Sequence, residues 1–293
     1  MDQRIIDLYD RFTHGQIGRR EFMDRLATLA GSLAAALALM PLLTNDYARA
    51  ALVEENDPRL EASTARFEAG GDEVSGYLVR ARRVDARRPA VLVIHENRGL
   101  NPHIRDVTRR MALAGYLAFG VDLLSPDGGT PADEDEARAM IAALDQPANL
   151  ARAEAAVRFL ASHPASTGNV GAVGFCWGGG LVNQLAQASP RLKAGVAYYG
   201  MQPPLDRVPG ISAALLLHYA GLDNRVNEGI AAYEDALAKA GKEYTVYVYE
   251  GANHAFNNDT NPARYDPKAA ELAWTRTAAF LAKHLGAPPP VET

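Results

Sequence analysis

Short apolar runs alternate with helical spacings from about residue 60 to residue 285. Ala90-Val91-Leu92-Val93-Ile94 is unbroken by any polar residue, the signature of a strand covered on both faces. Similar runs predict strands at 116–121, 170–174, 194–198, 213–219 and 244–249. Between them, helical spacing falls at 101–114, 131–144, 146–162, 228–240 and 267–285. Ile104, Val107, Met111 and Leu113 share one side of the first of these helices, and Leu150, Val157 and Leu160 one side of the third. Asn101-Pro102 and Gln146-Pro147 are helix openings, and Asp133-Glu134-Asp135-Glu136 reads as a solvated helix N-terminus. Residues 64–68 and 74–80 form a hairpin about Gly70-Gly71-Asp72, and a charged loop covers 82–88. Strand and helix in alternation require a mostly parallel central sheet flanked by helices, an α/β fold. One catalytic-sized domain, 51–293, accounts for the pattern, and Gly286-Ala287-Pro288-Pro289-Pro290 ends it.

Residues 1–50 follow a different pattern, that of an N-terminal helical leader. Arg19-Arg20 precedes an apolar stretch from 26 to 43, broken by Thr28, Gly31, Ser32 and Pro41, and Ala48-x-Ala50 follows. This order resembles a twin-arginine export signal cleaved after Ala50, which would make the protein periplasmic. The alternative is a helical arm retained on a cytoplasmic protein, and Asp24 at the start of the apolar stretch fits that reading better. Ala, Gly and Pro make the stretch a weak membrane span, so no stable span is expected.

Composition excludes several classes. The 293 residues are 48% hydrophobic and 22% charged, a globular balance. Lys and Arg number 30 against 35 Asp and Glu, a formal charge of −5, so no global basic field points to nucleic acid. The single Cys rules out an internal disulfide and any zinc site built on several thiolates. The sequence is silent on metal use, with no metal-ligating residues assigned, and oligomeric state is not legible.

That one thiol lies in Gly174-Phe175-Cys176-Trp177-Gly178, between a buried strand and a helix. It is the G-x-nucleophile-x-G turn with Cys in place of Ser. The turn forces the central residue into strained geometry, and its flanking positions have no room for side chains. The following helix favours a thiolate through its N-terminal amides. The Trp177 amide is a candidate oxyanion donor. Asp223 and His254 follow two later strands, giving the order nucleophile, acid, histidine at one sheet edge. In that arrangement His254 moves protons and Asp223 orients it. The loop His95-Glu96-Asn97-Arg98 follows the first buried strand, where Asn97 offers the second oxyanion amide. Glu96 there would sit beside Cys176, while His95 reads as structural. Glu96 and Arg98 could also form a local loop ion pair.

The elbow with Cys176, the Ile94-His95-Glu96 loop and the Gly251-Ala252-Asn253-His254-Ala255-Phe256 loop together resemble the dienelactone hydrolase family, of carboxymethylenebutenolidase type. The resemblance runs from about residue 64 to residue 285. It implies an α/β-hydrolase fold, no cofactor, and hydrolysis of small esters or lactones through an acyl-thioester on Cys176. It also implies a Glu, here Glu96, that keeps the thiol protonated at rest. Two arginines hold the substrate carboxylate in that family. This chain has Asn258 at one of those positions and Pro126 at the other, and a neutral amide cannot reproduce a bidentate guanidinium pair. Arg98, Arg105 and Arg264 are candidate replacements, with Arg98 and Asn258 taken as substrate-binding. Two other readings stay open: a binding or redox-sensing protein on the same fold, and a hydrolase of peptides or larger esters.

Overall fold

The computed structural model describes residues 1–47, 51–82 and 86–291. The Ala48-x-Ala50 site and residues 83–85 of the charged loop lie outside the described residues. An eight-stranded sheet forms the centre, from β1 (Leu60–Ala69), β2 (Asp72–Ala81), β3 (Arg88–Ile94), β4 (Leu117–Asp122), β5 (Ser166–Phe175), β6 (Leu192–Tyr198), β7 (Ala214–Ala220) and β8 (Tyr244–Tyr249). The spatial order is β1-β2-β4-β3-β5-β6-β7-β8. β1 pairs β2 and β2 pairs β4 antiparallel, and every other neighbour pair is parallel. In the first hairpin Ala69 lies opposite Asp72. Its turn is therefore Gly70-Gly71 alone, at φ 66° and 100°, the left-handed values a two-residue hairpin needs.

Each unbroken apolar run feeds both faces of the sheet, because side chains alternate along a strand. Ala90, Leu92 and Ile94 join one core, with α6 (Gln146–Ser162), α7 (Trp177–Ala188) and α9 (Ile230–Lys239). Val91 and Val93 join the other, beneath α4 (Pro102–Leu113) and α10 (Pro267–Leu285). This strand order, with β2 antiparallel to both its neighbours and helices on both faces, makes this an α/β-hydrolase fold. The helix expected at 228–240 is α9, and a further short helix, α8 (Asn224–Asn227), precedes it. Asp133 caps α5 (Glu134–Ala143) as expected. Glu134, read as solvated, is drawn inward instead, to the side chains of Arg98, Asn45 and Tyr47.

Residues 1–47 form an arm of three helices, α1 (Gln3–Thr13), α2 (Arg19–Ala30) and α3 (Leu33–Leu43). The apolar stretch from 26 to 43 is not one helix. Gly31, at φ 85°, ends α2, and α3 leaves at 109°. Among the described residues no single helix is long and apolar enough to cross a membrane. The bend instead closes a small core around Phe22, Leu26, Ala36 and Leu43, all fully buried, with Phe12 stacked on Phe22 at 4.6 Å. The arm is tied to the domain chiefly by polar contacts. Asn261 Nδ2 donates to Leu43 O at 2.5 Å, Gln3 Nε2 donates to Asn253 Oδ1 at 2.6 Å, and the Arg138 guanidinium lies 4.3 Å from the Phe12 ring centre.

Phe22→Ala empties the centre of the arm's core, a loss of about 3–5 kcal/mol for a buried Phe. Limited proteolysis with mass spectrometry should then cut within residues 1–47 well before the sheet domain. Equal resistance of variant and wild type would show that this core does not hold the arm.

Candidate active site

β5 ends at Phe175 and α7 starts at Trp177, so Cys176 alone makes the turn. Its backbone sits at φ 54°, ψ −115°, a region that costs a non-glycine residue about 1–3 kcal/mol. Bonds on both sides hold it there: Cys176 N donates to Tyr198 O at 3.0 Å and Gly180 N donates to Cys176 O at 3.1 Å. A Cβ on Gly174 would strike the Gly178 carbonyl, and one on Gly178 would strike the carbonyls of Ile94 and His95. The other two non-glycine residues at positive φ among the described residues, Tyr199 and Ala255, flank the same place. The Tyr199 ring packs 4.9 Å from that of His254, and Ala255 follows His254 in sequence.

Asp223 follows β7, and His254 lies on the loop after β8. His254 Nδ1 lies 2.5 Å from Asp223 Oδ2, with both side chains buried. Asp223 also accepts from Val226 N at the start of α8, which anchors the carboxylate to a helix end. Among the described residues His254 Nε2 has no hydrogen-bond partner. The structure thus brings Cys176, Asp223 and His254 together at the carboxyl edge of the sheet.

A residue from outside the domain joins them. His14, at the end of α1, places Nε2 3.3 Å from Cys176 Sγ. Its Nδ1 lies 2.8 Å from Asp10 O and 3.3 Å from Asp10 Oδ1. The His14 and His254 rings meet edge to face at 4.7 Å. Sγ and one nitrogen of each ring all lie within 4.8 Å of one another. Arg225 Nη2 lies 3.1 Å from His14 Nε2 and 3.5 Å from His254 Nδ1. A Cys-His-His donor set is of a type that zinc accepts, but this guanidinium sets a permanent positive charge beside both rings.

Charge sets the protonation of the group. Burial pushes the Cys176 thiol up, and the imidazoles of His254 and His14 outweigh it and hold the thiol at about 6. Burial pushes His254 down, and Asp223, Cys176 and Asp10 outweigh it, raising it to about 10. Burial likewise opposes the charged form of His14, while Cys176 and Asp10 raise it. Asp223 and Asp10 are held below the usual carboxylate range, against burial, by the imidazoles and arginines around them.

The remaining expected residues are distributed differently. Glu96 is buried, but its carboxylate accepts from Asn258 Nδ2 at 3.0 Å and Tyr199 Oη at 3.4 Å rather than from the thiol. Arg98 does not pair with Glu96 and does not line the cavity beside Cys176. Its Nε donates to Glu134 Oε2 at 2.9 Å and its Nη2 lies 3.4 Å from Tyr9 Oη. Asn258 spends its amide on Glu96 and its carbonyl on Thr260. Arg264 is turned to Asp10 and Tyr9, and Arg105 lies over Tyr77. Asn97 and Trp177 do line the cavity. The Asn97 side chain donates to Thr13 O at 2.8 Å, and the Trp177 ring stacks on buried His95. The cavity encloses about 630 Å³ between the arm (Phe12, Ile17) and the domain (Ile141, Trp177, Leu181, Met201), within the usual range for small-molecule sites. Sequence reasoning missed His14, Asp10 and Arg225. The helical spacing of Ile5, Leu8, Tyr9 and Phe12 marks residues 3–13 as a packed helix, but it does not say what lies beneath its end.

Residues 74–285 match the model of the dienelactone hydrolase family, and residues 1–31 match a separate one described as YqhI-like. A putative carboxymethylenebutenolidase of Escherichia coli is 31% identical over 80% of this chain and 92% of its own length. A probable 2-oxo-3-(5-oxofuran-2-ylidene)propanoate lactonase of Bradyrhizobium is 32% identical over 73% of this chain and 91% of its own. A putative dienelactone hydrolase of Klebsiella pneumoniae, solved as a crystal structure, superposes with a TM-score of 0.69 at 27% identity, covering 76% of this chain and 99% of that one. With the family model spanning the sheet from β2 through α10 and relatives aligned over most of their length, the chain belongs to the dienelactone hydrolase family, hydrolases of lactones and esters.

Proposed function

We propose that the protein hydrolyses small carboxylic esters or lactones with Cys176 as the nucleophile, through an acyl-thioester. One observation carries the reading. A sulfur on a strained elbow lies within 4.8 Å of an imidazole nitrogen whose ring is bound to a buried carboxylate, beside a cavity of about 630 Å³.

In the first half-reaction the thiolate attacks the substrate carbonyl, a C–S bond forms, and the carbonyl π electrons move onto oxygen. The amides of Trp177 and Asn97 are the donors for that oxyanion. As the C–O bond breaks, the leaving alkoxide takes the proton that the thiol had given to an imidazole. In the second half His254 takes a proton from water as the water attacks the thioester, and the thiolate departs. Asp223 holds the His254 ring with its proton on Nδ1 and offsets the positive charge of the imidazolium.

The part suggested for Glu96 changes. Its carboxylate holds Asn258 and Tyr199 in place, and His14 occupies the position beside Sγ. Arg98, tied to Glu134, is not part of the substrate site. The substrate is small because the arm closes one side of the cavity.

Cys176→Ala should abolish turnover of p-nitrophenyl acetate while the circular dichroism spectrum stays unchanged. Undiminished turnover in that variant would exclude the mechanism. Asp223→Asn should lower kcat on the order of 10²–10⁴-fold, the range of a correctly held acid–base group. A kcat equal to wild type in steady-state assays would show that His254 does not depend on that carboxylate.

A further inference from the structure

The arm reaches the reacting sulfur itself. His14 lies before the part of the chain that matches the dienelactone hydrolase family, which begins at residue 74. Yet His14 Nε2 is the atom hydrogen-bonded to Cys176 Sγ, at 3.3 Å. We propose that His14 is a second acid–base residue of the reaction, supplied by the N-terminal arm, and that it holds Cys176 as a thiolate before substrate arrives.

The hydrogen-bond chemistry is specific. His14 Nδ1 faces the main-chain carbonyl of Asp10 at 2.8 Å. A carbonyl only accepts, so Nδ1 carries a hydrogen. Nε2 is then the basic lone pair, directed at Sγ and at Arg225. The transfer is one proton: the S–H bond breaks, an Nε2–H bond forms, and the thiolate accepts a hydrogen bond from the new imidazolium. The Asp10 carboxylate, 3.3 Å from Nδ1, stabilises that cation as Asp223 does for His254. Two carboxylate-backed imidazoles thus converge on one sulfur.

Each surrounding element has a charged or titratable group in this balance. α1 brings Asp10, the elbow brings Cys176, and the loop after β8 brings His254. α8 brings Arg225, whose Nη2 lies 3.1 Å from His14 Nε2. Asp223 reaches the group through His254, Tyr199 packs on His254, and Arg264 approaches Asp10 Oδ1 at 3.6 Å. Arg225 donates only. It opposes a proton on Nε2. The net effect is a thiol held at about 6 by His254 and His14 together. The family resemblance implies a resting thiol kept protonated by a carboxylate. In this chain the carboxylate at that place, Glu96, is occupied by Asn258 and Tyr199, and an imidazole stands beside the sulfur.

The proposal rests on Cys176 being the nucleophile, so its test reads the thiolate without using hydrolysis. Cys176 is the only thiol in the chain, and its alkylation by iodoacetamide across pH reports the thiolate fraction. The full-length wild type, His14→Ala, His14→Gln and His254→Ala are compared, with p-nitrophenyl acetate hydrolysis measured in parallel. Removing His14 should raise the alkylation midpoint by about one unit or more and lower kcat/KM at neutral pH by about tenfold or more. His14→Gln should behave as His14→Ala, because an amide does not accept the proton. In His254→Ala the midpoint should remain below that of an ordinary cysteine, since His14 is still present. Added imidazole should restore hydrolysis to His14→Ala, even where the arm packs less tightly in that variant, which a purely structural role would not allow.

The proposal is overturned if both His14 variants keep the wild-type midpoint and kcat/KM, or if His254→Ala alone returns the thiol to the ordinary range. It is also overturned if imidazole restores nothing to a slowed His14→Ala. A wild-type rate in Cys176→Ala would instead remove the underlying reading, and the alkylation midpoints would still report the His14–Cys176 pair.

Discussion

Everything at the site is placed by the reversal of the backbone at Cys176, at φ 54° and ψ −115°. Such a conformation persists only where the structure around it is fixed from several sides. β5 lies in the middle of the sheet between β3 and β6, and the start of α7 packs so closely on the carbonyls of Ile94 and His95 that Gly178 has no room for a Cβ. Strand and helix are each held by packing, so the one residue between them has no alternative path. The sulfur is therefore a fixed point, and the imidazoles are carried to it by segments that are not strands.

Around that point charges alternate. Asp223 and Asp10 stand behind His254 and His14, and Arg225 bridges the two rings. Each of these groups would be costly to bury alone. Paired, they raise the imidazoles and lower the thiol, so the site's acid–base character belongs to the cluster rather than to any one residue. The arm contributes Asp10 and His14 to the cluster and Phe12 and Ile17 to the cavity wall. Residues 1–47 thus act as part of the site in structural terms, whatever compartment the chain occupies.

Much of this was legible in the residues. The elbow could be read because its physical requirement, small residues on either side of a strained residue between strand and helix, leaves a local trace. Asp223 and His254 could be read because each follows a strand, and strand ends in a parallel sheet share an edge. Glu96 and Arg98 were read less well. Charges two positions apart suggest pairing along the chain, but both lie on the loop past the end of β3, where no regular backbone sets the direction of a side chain. Arg98 thus found Glu134, and Glu96 found Asn258. The stretch from 26 to 43 looked like one apolar segment because composition does not register a bend. Gly31 made it two helices.

Periodicity and turn chemistry within a few residues were enough to fix the fold class, the strand–elbow–helix unit and the order in which Cys176, Asp223 and His254 follow their strands. Only the tertiary structure decided that the end of α1 lies on Cys176, which carboxylate backs which imidazole, and that Glu96 is turned away from the thiol. Those contacts join residues as much as 162 positions apart, as His14 and Cys176 are. Docking of an arm through scattered polar contacts depends on surface complementarity, and complementarity leaves no periodic mark along a chain.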